Sequence, residues 1–510
     1  MNALAQPVAA RRSRVALSAG RGWWPLAVLT LLAAVLRIST LDLQSFWYDE
    51  AFTPVHVLHP SLWDTLHSVS HTENSPPLWY VLEWIFYRLF GDGEVSLRML
   101  SALAGIATVP LAWGIGHELC DRRAAIGCAL LVAVNPLFFW YSQEARVYAL
   151  FALMVAAAML CFLRALREPT PARMAAFALT ASLALLTHYF AVFLLAAMAG
   201  WLLYERRTRR AALPALAAIG VVGLALLPLI SAQGGHGTQW IGRWALSSRL
   251  QAIPQYWLSG YSGSPLGHGV ELLVALPVLA AVSLGLWRLT EPRRGAPPEL
   301  VAARERCAHG ATIAATLTAA GVLAPVLLAI LGADYLAPRN LLGAMIPLTA
   351  LVAVLACAPG AGLAGAALLG TLAAGFLALS IDVDLSPRLQ RGNWRGVVQA
   401  LPSAPGPRVF TVPQLGSAPL EYYVGRGLHN PPRGTAVTAR EVVEIGYSPL
   451  RSSAGRPPAR GFVRVARLNV DGLIVYRFVA PAPTRLSEQE LRAQAITLAH
   501  PEVLVARTAS

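Results

Sequence analysis

The stretch AALPALAAIGVVGLALLPLI, residues 211–230, contains twenty residues and no charged side chain. An α-helix needs about 20 apolar residues to cross the hydrocarbon core of a bilayer, where only helices and closed barrels satisfy every backbone N–H and C=O. The run is continuous rather than alternating, which excludes a strand of a membrane barrel. Residues 211–230 therefore predict a transmembrane helix.

The composition of the whole chain agrees with a membrane environment. Of 510 residues, 56% are hydrophobic and 13% are charged, whereas soluble domains carry about 25% charged residues. The net charge is +14, and all 41 basic residues are arginines. These arginines are scattered rather than gathered in one basic patch, so we expect no nucleic-acid binding. The five cysteines show no metal-ligand spacing, so neither a disulfide framework nor a cysteine metal site is indicated. No cofactor is expected, and the family resemblance described below implies no metal.

Ten further apolar runs predict transmembrane helices. They cover about residues 23–36, 99–117, 125–141, 147–164, 174–190, 190–204, 269–287, 311–331, 341–357 and 361–380. Arg11, Arg12 and Arg14 precede the first run, and no small-residue cleavage site follows it. We therefore expect a retained signal anchor.

The segment PPLWYVLEWIFYRLF, residues 76–90, is apolar but short, and it carries Glu83 and Arg88. If it does not cross the membrane, every arginine cluster between later spans lies on the cytoplasmic side with the N-terminus, as the positive-inside rule requires. Those clusters are Arg122/Arg123, Arg164/Arg167/Arg173, Arg206/Arg207/Arg209/Arg210 and Arg288/Arg293/Arg294/Arg304/Arg306. We expect an interfacial or re-entrant helix here, eleven spans in total and an outer C-terminus.

After residue 380 the composition changes to proline-rich turns and strand-like runs at 408–412 and 473–479, with a helical stretch near 487–495. This pattern predicts a small α/β domain on the outer face. The expected organisation is a cytoplasmic tail at 1–22, a helical membrane domain at 23–380 with a large outer loop at 42–98, and an extracytoplasmic α/β domain at 381–510.

Short polar motifs fall on the outer side under this topology, which was set without them. They are WYDE at 47–50, ENSPP at 73–77, YSQEARVY at 141–148, THY at 187–189 and YLAPR at 335–339. Asp49 and Glu50 could be a solvated helix start, because acidic residues favour the first helical turn. Their aromatic neighbours also suit a partly desolvated carboxylate that acts as a general base.

The arginine motifs allow two interpretations as well. Arg146 could bind an anionic group such as a phosphate while Glu144 orients it, or the two could form a structural ion pair with Tyr148 as a headgroup anchor. Arg339 and Tyr335 are open to the same phosphate interpretation or to snorkelling. Arg98, at the outer start of the second span, is a weaker candidate of this kind.

Two further features stay open on the sequence alone. His188 could contribute to a site or be a hydrogen-bonded histidine at a helix end. The loop at 233–268 carries Trp240, Trp244, Tyr256, Trp257 and Tyr261, which could form an interfacial belt or a lid that contacts sugar and lipid.

Together these motifs resemble the membrane-embedded glycosyltransferases of the GT-C superfamily, in particular the family 39-like group with the protein O-mannosyltransferases and the lipid A aminoarabinose transferase. The motifs are WYDE, PPLWY, LRMLSAL at 97–103, YSQEARVYAL and YLAPRNLL, over roughly residues 23–380, and NWR at 393–395 resembles the start of the outer tail in many bacterial members. Ser75 departs from the His or Lys frequent in relatives before the double proline. The absence of lysine argues against aminoarabinose as the sugar.

The resemblance implies inverting transfer of a sugar from a polyprenyl-phosphate carrier to an acceptor outside the cytoplasm, at the cell membrane. Asp49 would then deprotonate the acceptor, and Glu50 would assist or position it. Arg146 and Arg339, with Tyr335 and Arg98, would hold the lipid phosphate. Supporting or acceptor-binding roles would fall to Glu144, Tyr148, Glu73, Asn74 and His188.

Two other functions compete with this one. A transporter or flippase of a lipid-linked saccharide also needs many spans and phosphate-facing arginines, but transporters place ionisable residues at mid-bilayer on broken helices. A non-catalytic assembly or receptor protein would leave the WYDE and QEAR motifs unexplained. The crowding of charges at one end of the spans favours chemistry at a membrane surface.

Overall fold

The structure is a computed structural model. It describes residues 22–235, 238–260, 268–291, 297–404, 406–425, 427–498 and 500–506. Arg11, Arg12, Arg14, Tyr261, Arg293 and Arg294, which entered the topology and loop predictions, lie outside these residues. The contacts divide the chain into two compact units.

The first unit, here called the membrane unit, comprises Met1–Ser39, Ser70–Leu82 and Arg98–Ile381. It is built from helices, two of which, Glu94–Leu119 and Gly362–Leu385, extend past its limits. The helices are Trp24–Ile38, Glu94–Leu119, Arg122–Val134, Pro136–Ser142, Tyr148–Arg167, Pro171–Thr187, Ala191–Tyr204, Arg209–Gln233, Gln239–Arg243, Leu246–Ser259, His268–Thr290, Pro298–Ile330, Leu342–Ala356 and Gly362–Leu385. A 3-10 turn, Pro338–Leu341, precedes Leu342–Ala356.

An apolar helix occupies the position of each predicted span. Among the described residues, seven helices are long and apolar enough to cross a membrane. The pair Arg122–Val134 and Pro136–Ser142, bent by 53°, adds an eighth, and shorter apolar helices occupy the three remaining positions. The multi-pass helical membrane fold is confirmed, whereas the number of crossings and the side of each terminus stay predictions.

A buried arginine in the first helix supports the broken helix pair. Pro136 cannot donate a backbone hydrogen bond, and Asn135 caps the second helix by accepting from the N–H of Leu137 at 3.0 Å. The freed carbonyls of Val132 and Ala133 accept from the fully buried Arg37 guanidinium at 3.0 and 2.8 Å. Carbonyls at a helix end need such partners inside a membrane protein. The second helix of the pair ends at Ser142, so its position sets where the QEAR segment at 143–146 begins.

The second unit comprises Thr40–Val69, Glu83–Leu97 and Asp382–Ser510. It is called the outer unit here, after the side of the membrane that the sequence predicts for it. Its loop part contains the helix Tyr48–Phe52, a π turn at Thr53–Val57 and most of the helix Leu62–Thr72. The predicted interfacial helix is Leu78–Phe90, which begins in the membrane unit. With 13 residues it is about 20 Å long, too short for a hydrocarbon core of about 30 Å. Its interfacial position stays a prediction.

The C-terminal part of the outer unit is the predicted α/β domain, which is confirmed. Its strands are β1 Arg408–Val412, β2 Leu428–His429, β3 Ala436–Tyr447, β4 Val463–Val470, β5 Leu473–Ser487 and β6 Glu502–Ala506, in the sheet order β2-β6-β1-β3-β5-β4. Strands β1 and β3 are parallel and the other neighbours are antiparallel. The helices are Trp394–Gln399, Ser417–Val424 and Glu488–Gln494, with a 3-10 turn at Pro387–Leu389.

Both faces of this sheet are buried. Along β3, Val442 packs in a core with Phe478, while its neighbour Val443 packs in the opposite core with Val475. This alternation is what successive strand residues produce when helices and loops cover both faces. The strand predicted at 408–412 coincides with β1, and the run at 473–479 begins β5.

The contacts group the first outer loop differently from the predicted domain division. We expected the loop at 42–98 to belong with the membrane helices, but most of it belongs to the outer unit. Its aromatic residues account for this grouping: Phe46 lies 5.0 Å from the Tyr422 ring, and Tyr48 lies 5.8 Å from the Trp394 ring. Aromatic side chains bury a large area when they pack together, which groups these parts of the chain.

A buried carboxylate in β3 makes the stability of the chain depend on pH. Glu444 is 1% exposed, and burial raises its pKa from 4.5 to about 8. The folded chain binds this proton more tightly than the unfolded chain, so its stabilising contribution is present at low pH and is lost as pH rises through 8. The melting temperature of the detergent-solubilised protein should fall between pH 6 and pH 9, and less steeply in Glu444→Gln. Equal falls in both proteins would contradict this assignment.

Candidate functional site

One cavity of about 370 Å³ in the membrane unit brings together seven of the eleven predicted site residues. They are Glu73, Asn74, Arg146, Tyr148, His188, Tyr335 and Arg339. Arg98 and Glu144 are buried in the same unit and do not line this cavity. Asp49 and Glu50 belong to the outer unit.

The centre of the polar lining is a bidentate ion pair. The Arg146 guanidinium donates from Nη1 to Glu73 Oε1 at 3.2 Å and from Nη2 to Oε2 at 2.9 Å. The Tyr80 hydroxyl donates to the same carboxylate at 2.6 Å. Both charged side chains are largely buried, at 14% and 5% exposed. Glu73 thus supplies a carboxylate for Arg146, a contact that the sequence did not indicate because Glu144 is so much nearer in the chain.

The second arginine of the cavity is held by aromatic rings. The Arg339 guanidinium lies 5.0 Å from the ring centre of Trp240 and 5.9 Å from that of Tyr148. Such contacts favour a cation over the face of an aromatic ring. The 3-10 turn that carries Arg339 leads directly into the helix Leu342–Ala356. The positive end of that helix dipole therefore adds to the positive potential near Arg339.

Another arginine, which the sequence analysis missed, fixes the loop of Tyr335 and Arg339. The buried Arg249, in the helix Leu246–Ser259, donates to both carboxylate oxygens of Asp334 at 2.6 and 2.8 Å and to the carbonyl of Leu336 at 3.0 Å. These hydrogen bonds lower the pKa of Asp334 below its ordinary value. The ion pair therefore anchors the residue immediately before Tyr335.

A second missed contact fixes the segment that follows Glu73. Gln233, at the end of the helix Arg209–Gln233, is buried and donates from its side-chain amide to the carbonyl of Ser75 at 3.0 Å. The hydroxyl of Tyr189 donates to the other end of the same amide at 2.7 Å. These two bonds use the Gln233 amide as a bridge. The ENSPP motif is thereby tied to two predicted spans.

His188 follows the last residue of the helix Pro171–Thr187, as the interpretation of it as a histidine at a helix end predicts. Its ring stacks on Phe151 at 4.6 Å with an angle of 20° between the planes. Its Nδ1 atom accepts from the backbone N–H of Phe190 at 3.2 Å. His188 is thus a hydrogen-bonded residue at a helix end, and it also lines the cavity.

Apolar side chains make up a further part of the cavity wall, beside polar ones such as Thr238 and Asn340. Val192, Phe193, Ile230, Pro325 and Leu328 contribute to it from three helices predicted to span the membrane. Val192, Ile230 and Leu328 are among the exposed hydrophobic residues, and they would face lipid in a bilayer. The cavity therefore combines two arginines with apolar side chains, a combination that suits an anionic headgroup with an apolar tail.

The WYDE motif in the outer unit lies among aromatic side chains, as its sequence suggested. Asp49 and Glu50 belong to the five-residue helix Tyr48–Phe52. Tyr48 meets the rings of Trp394 and Tyr447 edge-on at 5.8 and 6.4 Å. Glu50 is fully buried, whereas Asp49 is partly exposed. The two adjacent carboxylates therefore differ in their access to solvent.

Within the part of the chain that the structure describes, no three His, Cys, Asp or Glu side chains are placed to hold a metal ion. The expectation that the site works without a metal stays a prediction.

Comparisons with known proteins support the resemblance. Residues 74–231 match the family model of dolichyl-phosphate-mannose-protein mannosyltransferases. This match covers less than half of the chain and includes Asn74, Arg146, Tyr148 and His188. Over these residues it confirms the resemblance to the GT-C glycosyltransferases. No curated protein sequence matches the chain.

Two solved structures illustrate the structural similarity. Archaeal oligosaccharyltransferase AglB from Archaeoglobus fulgidus, in complex with an inhibitory peptide and a dolichol-phosphate, is 16% identical with a TM-score of 0.42. That match covers 75% of this chain but 58% of AglB, so the chain spans less than two thirds of its length. ArnT from Cupriavidus metallidurans, bound to undecaprenyl phosphate, is 16% identical with a TM-score of 0.39, covering 88% of this chain and 97% of ArnT.

The Arg249–Asp334 pair predicts a local effect on the loop that carries Tyr335. Arg249→Met leaves the Asp334 carboxylate without its cation, so the amides of residues 334–337 should exchange with deuterium faster than in the unmodified protein. Arg243→Met, at an exposed arginine six residues earlier, is the control and should leave their exchange unchanged. Unchanged exchange in Arg249→Met would show that the loop is held by other contacts.

Proposed function

We propose that the protein is an inverting glycosyltransferase that moves a monosaccharide from a polyprenyl-phosphate carrier to an acceptor outside the cytoplasm, such as a cell-envelope glycan, a glycolipid or a protein. The observation that carries this proposal is the cavity that joins Arg146 and Arg339 to apolar side chains of predicted spans. A polyprenyl phosphate has the same two parts, an anionic group and an apolar chain. The name of the family matched by residues 74–231 also pairs a lipid monophosphate sugar with a protein acceptor.

The charges of the cavity fit a monophosphate donor. Arg146 and Arg339 contribute two positive charges and Glu73 one negative charge, which leaves one net positive charge among these three side chains. A sugar attached to a lipid monophosphate carries one negative charge, and the departing lipid phosphate gains a second. Fixed cations stabilise charge that grows as the sugar–phosphate bond breaks, because they need no reorganisation at that moment.

The proposed reaction is a single displacement. The acceptor hydroxyl oxygen attacks the anomeric carbon, the bond from that carbon to the phosphate oxygen breaks, and the acceptor proton passes to Asp49. Glu50 holds the motif or the acceptor in place. In such a displacement the base and the phosphate contacts act on opposite sides of the sugar carbon, which inverts its configuration. Arg339, with Tyr335 beside it, contacts the phosphate, and Arg146 adds its charge from the Glu73 pair.

The base assignment predicts a specific loss in cells. Asp49→Asn should preserve membrane insertion and abundance, yet polyprenyl-phosphate sugar should accumulate and one envelope glycan, glycolipid or protein should lose a sugar residue. Extracted lipids and envelope glycans are compared by mass spectrometry with those from cells that carry the unmodified protein. Asp64→Asn, at an exposed aspartate of the first loop, is the matched control. Full transfer by Asp49→Asn would exclude Asp49 as the base.

The phosphate assignment predicts weaker donor binding. Arg339→Ala removes a charge-assisted contact of about 1.5 to 3 kcal/mol, so the apparent donor affinity should fall roughly 10- to 100-fold. Steady-state kinetics with a polyprenyl-phosphate hexose measures this change, and Arg206→Ala, at an exposed arginine outside the cavity, serves as the control. An unchanged KM for the donor would remove Arg339 from the phosphate site.

A further inference from the structure

The WYDE motif is supported by residues that follow it by more than 340 positions. The segment at 391–394, in the C-terminal part of the outer unit, contacts the motif or the nearby Ser45 at three points. Ser45 Oγ donates to the carbonyl of Gly392 at 2.9 Å and accepts from the N–H of Trp394 at 3.0 Å. Trp394 packs edge-on against Tyr48 at 5.8 Å.

The third point is an ion pair with the motif itself. Arg391 Nη1 lies 3.4 Å from Glu50 Oε2, and the two side chains are 4% and 0% exposed. The guanidinium carbon also lies 5.9 Å from the ring centre of Trp47. A buried carboxylate that loses its cation is strongly destabilised, so this pair fixes where Glu50 lies.

The backbone that carries Arg391 is itself closely held. Its N–H donates to the side-chain oxygen of Gln44 at 3.0 Å. The next residue, Gly392, packs so near the Tyr447 hydroxyl that a Cβ atom there would collide with it. The backbone from which the Arg391 side chain extends is thus held at its own N–H and at the next residue.

The short helix of the motif needs such anchors. Tyr48–Phe52 has five residues, far below the length at which a helix is stable by itself. Its orientation, and with it the direction of the Asp49 side chain, depends on what its buried residues contact. Glu50 and Tyr48 are the neighbours of Asp49 in the chain, and both are held by the 391–394 segment.

We propose that Arg391 is a positioning residue for the reaction, which orients Asp49 by fixing Glu50, so that the C-terminal part of the outer unit completes the catalytic motif. This inference rests on the proposed function, in which Asp49 is the base. It assigns the segment at 391–394, which overlaps the NWR motif at 393–395, a part in the chemistry that the sequence resemblance did not give it.

The test uses the full-length protein in detergent, a polyprenyl-phosphate hexose as donor and an envelope extract as acceptor. Arg391→Met should lower kcat about 10- to 100-fold while the donor KM stays within about twofold, because a displaced base slows the chemical step without removing the phosphate contacts. Arg391→Lys keeps the charge and should recover much of the kcat. Arg388→Met, at an exposed arginine three residues earlier, should behave as the unmodified protein.

A double-mutant comparison separates positioning through Glu50 from a general loss of folding. In a Glu50→Gln background, Arg391→Met should lower kcat by less than about threefold. The carboxylate through which Arg391 acts is already absent in that background. Three results would each overturn the proposal. Arg391→Met could lower kcat as much in the Glu50→Gln background as in the unmodified protein, or Arg391→Lys could be as inactive as Arg391→Met. The third is a fall in kcat that only follows the amount of folded protein. Full activity of Asp49→Asn would instead overturn the base assignment. That test does not involve the Arg391 variants, so the two failures can be told apart.

Discussion

The buried ion pair between Glu73 and Arg146 is the contact on which the polar lining of the cavity depends. It joins the ENSPP segment of the first loop to the QEAR segment that follows the broken helix. Removing either partner leaves an uncompensated buried charge, at a cost of about 3 to 5 kcal/mol. Tyr80 holds the carboxylate, and Gln233 holds the backbone two residues further on. Arg146 is therefore held through Glu73, whose own segment is fixed by residues of other helices.

A membrane chain confines its charges, and this confinement explains the layout of the site. Arg37 is buried in the first helix because the carbonyls of Val132 and Ala133 need donors at a helix break. Arg146 and Arg339 line a cavity to which apolar side chains of three predicted spans also contribute. The pair of carboxylates, Asp49 and Glu50, is held separately, in the outer unit. In the proposed transfer, the phosphate contacts are assigned to the membrane unit and the base to the outer unit.

The sequence predicted what depends on local pattern. Apolar runs located the candidate spans, strand-like runs located β1 and the start of β5, and the short motifs named seven residues that share one cavity. It missed contacts between distant segments: Glu73 with Arg146 across 73 positions, Arg249 with Asp334 across 85, and Gln233 with Ser75 across 158. A carboxylate two positions from an arginine is a natural partner to expect, and no local rule indicates one much further away. The grouping of the first loop with the C-terminal residues was missed for the same reason.

In the proposed reaction the protein breaks a sugar–phosphate bond rather than carrying the intact lipid across the membrane. A radiolabelled polyprenyl-phosphate hexose, followed in vesicles that contain the purified protein and an envelope extract, distinguishes the two activities. We expect release of polyprenyl phosphate and an equal amount of label on the acceptor, with inverted anomeric configuration. Movement of intact donor between the two leaflets, with neither polyprenyl phosphate nor labelled acceptor formed, would contradict it.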